Sequence, residues 1–138
     1  MKIEDNKIRN RVEESYPPSN FFEAIANCFK KYASFNGRAT KLEYKSFCFF
    51  YYTVNTLLVI MLLNTNDEGT FDILFGLFNA IVIVPLAAAG TRRLHDLGKS
   101  GWWQLIYLLP FGIFYTSYLC SVEGEGDNEY GKDPERFN

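Results

Sequence analysis

His95 and Asp96 place an imidazole beside a carboxylate within the run Thr91-Arg-Arg-Leu-His-Asp-Leu-Gly-Lys-Ser-Gly-Trp-Trp103. That pairing would suit proton transfer on a phosphorylated group held by Arg92 and Arg93. Adjacent residues on a helix diverge by about 100°, however, and make a poor dyad with each other. His95 is the only histidine, so a metal site would need carboxylates from elsewhere. Cys28, Cys48 and Cys120 are isolated and lack metal-ligand spacing. No known catalytic constellation appears, and neither a metal nor a cofactor is expected. Anion recognition is the sharper chemistry for Arg92, Arg93 and Lys99, joined by Lys41 and Lys45. Forked guanidinium groups match phosphate, and basic pockets between helices hold lipid headgroups. A nucleotide or a partner's acidic segment would offer the same chemistry. The competing reading is topological. In it the bases fix orientation, Asp96 neutralises Arg92 at i,i+4, and Trp102-Trp103 anchors the next helix at an interface.

The elements that must position these residues are those of a membrane protein. The chain has 138 residues, a length suited to one domain. Its mean hydropathy of −0.10 looks soluble, but the apolar residues are clustered. Residues 46–63, 73–90 and 102–122 contain no Asp, Glu, Lys or Arg. A bilayer core needs about 17–25 apolar residues per helix, and all three segments meet that requirement. The expected fold is therefore all-α, with three transmembrane helices. Bases crowd the region before the first segment, are missing from the Asn64–Asp72 loop, and return as Arg92, Arg93 and Lys99. The positive-inside rule places the N-terminus and the second loop in the cytoplasm. With three crossings, the acid-rich tail faces out. The first 20 residues are polar, so no cleavable signal is expected.

Residues 1–18 read as a flexible arm, 19–134 as the membrane domain and 135–138 as the end of the tail. Asn20 with Glu23 forms a capping-box pattern, followed by Phe21, Ile25, Cys28, Phe29, Tyr32 and Phe35 at helical spacing. This amphipathic helix would lie in the membrane interface or pack on the protein's own cytoplasmic face. Thr40-Lys-Leu-Glu43 opens a second helix that runs into the first crossing. In the second crossing, Gly76 and Ala80 allow close helix approach, and Pro85 should kink the helix and free a carbonyl. Asn55 and Asn79 are intramembrane amides that seek partners, either each other or an equivalent in a second protomer. Leu109-Pro-Phe-Gly112 interrupts the third crossing, read as one kinked helix; a re-entrant turn would return the tail to the cytoplasm. In the tail, the acids spaced by glycine between Gly124 and Pro134 read as a solvated turn, without the order of an EF-hand loop.

Several of these elements together resemble the DUF805 family of small bacterial inner-membrane proteins of unknown function. They are Phe29-x-x-Tyr-Ala-x-Phe-x-Gly-Arg38, Glu43-Tyr44, Arg92-Arg-Leu-His-Asp96, Gly98-x-Ser-Gly-Trp-Trp103 and Asn128-x-Tyr-Gly-x-Asp-Pro134. The resemblance covers residues 29–134 and implies a bacterial or phage origin and an inner-membrane location. Lys99 stands where an Arg is common, and Glu129 where an Arg is expected. The resemblance carries no established activity and hence no catalytic residue.

The expected function is a non-enzymatic membrane module. It would bind anionic lipid headgroups or a protein partner through a cytoplasmic basic face, with homo-oligomerisation through Gly76 and Ala80. The alternatives are a small oligomeric channel or transporter subunit lined by Asn55 and Asn79, and a membrane enzyme acting on a phosphorylated lipid through His95 and Asp96. Nucleic acid is not an expected partner.

Overall fold

The computed structural model describes residues 17–65 and 69–135, so the arm up to residue 16 and the last three residues lie outside the described residues. Regular structure among the described residues is helical, apart from an isolated bridge between Asn128 and Gly131. Helix α1 spans Phe21–Lys30, α2 spans Lys41–Asn64 and α3 spans Thr70–Asp96. A 3-10 helix over Gly101–Leu108 and helix α4 over Gly112–Ser121 follow.

The caps expected from the sequence form. Asn20 accepts from the Glu23 N–H at 2.9 Å and starts α1. Glu23 reaches back to the Ser19 N–H, closing the box one residue earlier than the pattern implies. Thr40 accepts from the Glu43 N–H at 3.0 Å and starts α2. The Glu43 side chain does not complete that box, because it pairs with Arg92 instead. Helix α1 buries Ala24 and Cys28 but leaves Phe22 80% exposed. Phe21 and Phe29 meet Phe49 and Phe47 of α2 edge-on.

Helices α2 and α3 run antiparallel, and each is long and apolar enough to cross a membrane. Polar contacts at two levels fix their register: Glu43 faces Arg92, and Asn55 faces Asn79. Asn79 donates to Asn55 Oδ1 at 3.0 Å and to the Phe75 carbonyl at 2.9 Å, while accepting from the Tyr51 hydroxyl at 2.9 Å. The amides are thus satisfied within one protomer. Replacing Asn79→Leu removes all three bonds. It should lower stability in detergent by about 1–2 kcal/mol, read as an earlier midpoint in an SDS unfolding titration.

Pro85 lacks an N–H, which frees the carbonyl of Ile81 four residues before it. The Tyr32 hydroxyl, just after α1, donates to that carbonyl. Helix α3 continues beyond Gly90 to Asp96 and ends in a Schellman motif: Gly98 N–H bonds His95 O at 3.1 Å, and Lys99 N–H bonds Leu94 O at 2.9 Å. Gly98, at φ +63°, supplies the left-handed residue this motif needs.

The expected single kinked helix over 102–122 is not what forms. The chain makes eight residues of 3-10 helix, turns over Leu109–Phe111 and returns as the ten residues of α4. Pro110 disfavours helical backbone at the preceding residue, and Leu109 is extended (φ −82°, ψ 151°). At Gly112 a Cβ would sit 2.8 Å from the Tyr107 Cα, so the return leg packs where a side chain would not fit. Both ends of this hairpin lie at the same end of α3. Gln104 bonds Ala87 O at 2.7 Å on the way in, and Leu119 O accepts from Arg93 at 2.9 Å on the way out.

Candidate functional site

The end of the bundle where α2 begins and α3 finishes is held by a buried clasp of five charged side chains. They are Arg38, Glu43, Arg92, Arg93 and Asp96, none more than 8% exposed. The N-cap and first turn of α2 aim Glu43 at the last turns of α3. There Arg92 Nη1 lies 2.5 Å from Glu43 Oε1. Arg93, on an adjacent face, pairs with Asp96 at i,i+3 and donates to the carbonyls of Leu119 and Val122, which fastens the end of α4. The Arg92–Asp96 pair expected at i,i+4 does not form. The helix presents Asp96 to Arg93 and, across the loop, to Arg38 at 2.8 Å.

Arg38 organises the tail. Its Nη1 donates to Gly126 O at 2.7 Å and Gly131 O at 3.0 Å, and its Nη2 to Glu125 O. Asn128 bonds His95 O at 2.9 Å, and Glu125 N–H bonds Asp96 O at 2.8 Å. The tail turn therefore docks against the clasp. A Cβ at Gly124 would run into the Asp96 carboxylate, so this approach requires glycine. No group of residues with metal-ligand geometry occurs among the described residues.

His95 stacks flat on Tyr130, with ring centroids 4.0 Å apart, and its Nδ1 lies 3.1 Å from Gly37 O. Asp96 is committed to two guanidinium groups. The two adjacent side chains thus serve different neighbours and form no dyad. Cys28 sits under the clasp, 3.8 Å from Glu43 Oε1, and burial pushes its thiol up to about 12.

The five bases read as an anionic-group site do not share one surface. Arg92 and Arg93 are interior, and Lys41 pairs with Glu123. Lys45 is exposed, and Lys99 lies over the Trp103 ring at 5.5 Å. Trp102 and Trp103 are both exposed. Of the other clasp members, Glu43 was visible in the sequence as part of a capping box and Arg38 as part of the family motif, neither as an ion-pair partner. One guanidinium is incompletely served: Arg92 Nε and Nη2 have no hydrogen-bond partner among the described residues.

Beneath the clasp lies a half-open cleft of about 350 Å³ between α2, α3 and the hairpin. Tyr44 and Tyr107 join hydroxyls at 2.7 Å on its wall, and Gln104 lines it from the 3-10 helix. Tyr44 stood in the sequence only as part of the Glu43-Tyr44 element, and Gln104 and Tyr107 carried no motif. The reversal after Asp96 lays Gln104 and Tyr107 against α2 and α3, and the turn at Pro110 then brings Ile113 and Thr116 of α4 to the same cleft.

Comparison with known proteins places these features in a family. The family model described as "Protein of unknown function (DUF805)" matches residues 32–132. The inner membrane protein YhaH of Escherichia coli (strain K12) is 33% identical over 109 residues, covering 76% of this chain and 90% of that protein. The inner membrane protein YhaI of the same strain is 32% identical over 107 residues, covering 76% and 89%. No solved structure matches the chain.

Proposed function

The chain belongs to the DUF805 family, and from that premise we propose a non-enzymatic, multi-pass protein of the bacterial inner membrane that engages anionic lipid headgroups at its cytoplasmic rim. Helices α2 and α3 cross the bilayer. The hairpin enters from the cytoplasmic leaflet and returns to it. The positive-inside rule sets the orientation: Arg38, Lys45, Arg92, Arg93 and Lys99 gather at the clasp end, and the loop joining α2 to α3 carries no base. Both termini are then cytoplasmic. This revises the outward tail that three crossings imply.

The observation that carries this reading is the division of labour among the bases. The arginines are consumed internally by Glu43, Asp96 and backbone carbonyls. Lys30 and Lys45 remain exposed and Lys31 and Lys99 half-buried. They stand among exposed rings: Phe22, Phe29 and Phe35 around α1, and Trp102 and Trp103 on the hairpin. Aromatic rings with lysines are the composition of an interfacial anchor, and each lysine near an anionic surface contributes about 1 kcal/mol. Helix α1 thereby combines both readings of its pattern, docking Ala24 and Cys28 on α2 while offering phenyl rings to the headgroup region.

Native mass spectrometry tests this. Wild-type protein should retain phosphatidylglycerol over phosphatidylethanolamine. Changing Lys30, Lys31, Lys45 and Lys99 together to Gln should cut that retention at least tenfold, consistent with about 1 kcal/mol per lysine, at unchanged thermal midpoint. Equal retention by both proteins would refute the reading.

A further inference from the structure

We propose that the cleft beneath the clasp is a binding site for a neutral amphiphile whose head carries carbonyl oxygens on a hydrocarbon tail. A prenylated quinone, or the ester region of an uncharged glycerolipid, has that chemistry. The site is separate from the lysine rim, and the argument for it does not depend on the rim.

The lining selects against charge. Among the described residues, no Asp, Glu, Lys, Arg or His lines the cleft. A phosphate or carboxylate placed there would lose its hydration with no cation to replace it, which low-dielectric sites penalise heavily. A neutral head meets no such cost. Its volume of about 350 Å³ falls within the ~300–1,000 Å³ range of small-molecule sites.

The polar groups that are present suit carbonyl recognition. The Tyr44 and Tyr107 hydroxyls share one hydrogen bond at 2.7 Å. That bond uses one of their two protons and leaves the other for an acceptor. Gln104 is held rigidly: its Nε2 donates to Ala87 O at 2.7 Å and to Thr91 Oγ1 at 2.6 Å. Its Oε1 has no donor among the described residues and can take a hydroxyl, should the head bear one. Gly90 makes room for this amide, since a Cβ there would lie 3.1 Å from Gln104 Nε2. The rest of the wall is apolar or aromatic. Tyr51 and Tyr52 offer ring faces, and Ile83, Leu86 and Ile113 offer aliphatic surface for a tail leaving toward lipid. The mixture of mostly apolar wall and few convergent polar groups is the usual anatomy of a ligand site.

The test is a titration of full-length protein in detergent with three probes: decylubiquinone, dioctanoylglycerol and, as charged control, dioctanoyl phosphatidylglycerol. Binding would be followed by intrinsic fluorescence and confirmed by native mass spectrometry. Saturable, one-to-one binding of at least one neutral probe is expected, and which one binds identifies the source of the head. The charged control should fail to compete. Ile113→Trp, which fills the cleft from its rim, should abolish binding. Tyr107→Phe, which keeps the ring and removes the hydroxyl, should weaken it about tenfold, the worth of one hydrogen bond. The thermal midpoint of each variant reports folding, and the four-lysine variant should bind like wild type. No saturation with either neutral probe would overturn the proposal. So would equal competition by the charged control, or undiminished binding in a folded Ile113→Trp protein. Loss of binding in the four-lysine variant would show the rim, rather than the cleft, to be the site.

Discussion

Replacing Asp96→Ala should destabilise the protein by about 3–5 kcal/mol, the range for breaking a buried ion pair from one side. Asp96 is 1% exposed and answers two guanidinium groups, Arg38 and Arg93, which are themselves buried. Without the carboxylate, two positive charges remain in the interior beside Arg92, whose one ionic partner among the described residues is Glu43. The damage should spread. Arg93 also holds the carbonyls of Leu119 and Val122, and Arg38 those of Gly126 and Gly131. Freed of Asp96, both guanidiniums would turn toward water and release the hairpin end and the tail. The check is an SDS or urea unfolding titration in detergent, followed by Trp102 and Trp103 fluorescence, with limited proteolysis of the tail alongside. A midpoint within about 1 kcal/mol of wild type, with the tail still protected, would show that the clasp does not hold this end together.

The clasp shows what could be read from the residues and what could not. Thr40 and Asn20 were legible as caps because capping is local: residue type and three-residue spacing suffice. The Asn55–Asn79 bond was legible because few other polar groups occupy the apolar segments, so each amide had few candidates. The partner of Arg92 was not legible. Residues three and four apart are both neighbours on a helix, so Asp96 suits Arg92 and Arg93 equally by spacing. The choice was made by Glu43, 49 residues away, when α2 and α3 paired. The docking of the tail left still less trace, because Arg38 binds main-chain carbonyls, which every sequence has. Gly124, admitted against Asp96 only because it lacks a Cβ, was its one local sign. Tyr32 and the carbonyl freed by Pro85 are an intermediate case. The vacancy followed from the proline, but its occupant came from across the fold.

The hairpin is where counting apolar residues misled most, and it yields a sharp topological prediction. A run of 21 uncharged residues satisfies the length rule for a crossing only if it stays in one α-helix. The eight-residue 3-10 leg rises about 16 Å at ~2.0 Å per residue, and the ten-residue α4 about 15 Å at ~1.5 Å per residue. Each leg reaches about half of a ~30 Å hydrocarbon core, which fits the proposed re-entrant hairpin. Cys48, in the third turn of α2, and Cys120, near the end of α4, consequently pack in the same core cluster. In a straight crossing they would lie near opposite faces of the bilayer. Copper phenanthroline in native membranes should therefore join residues 48 and 120 within one chain, seen as a disulfide-linked peptide pair. Cys28, whose thiol faces Glu43 rather than another thiol, should remain unlinked. A fluorescent protein fused to the C-terminus should glow and alkaline phosphatase fused there should be inactive, because the tail docks on the clasp, which the proposed orientation puts in the cytoplasm. An active phosphatase fusion, with no 48–120 link under conditions that oxidise Cys120, would restore the third crossing and reject the hairpin.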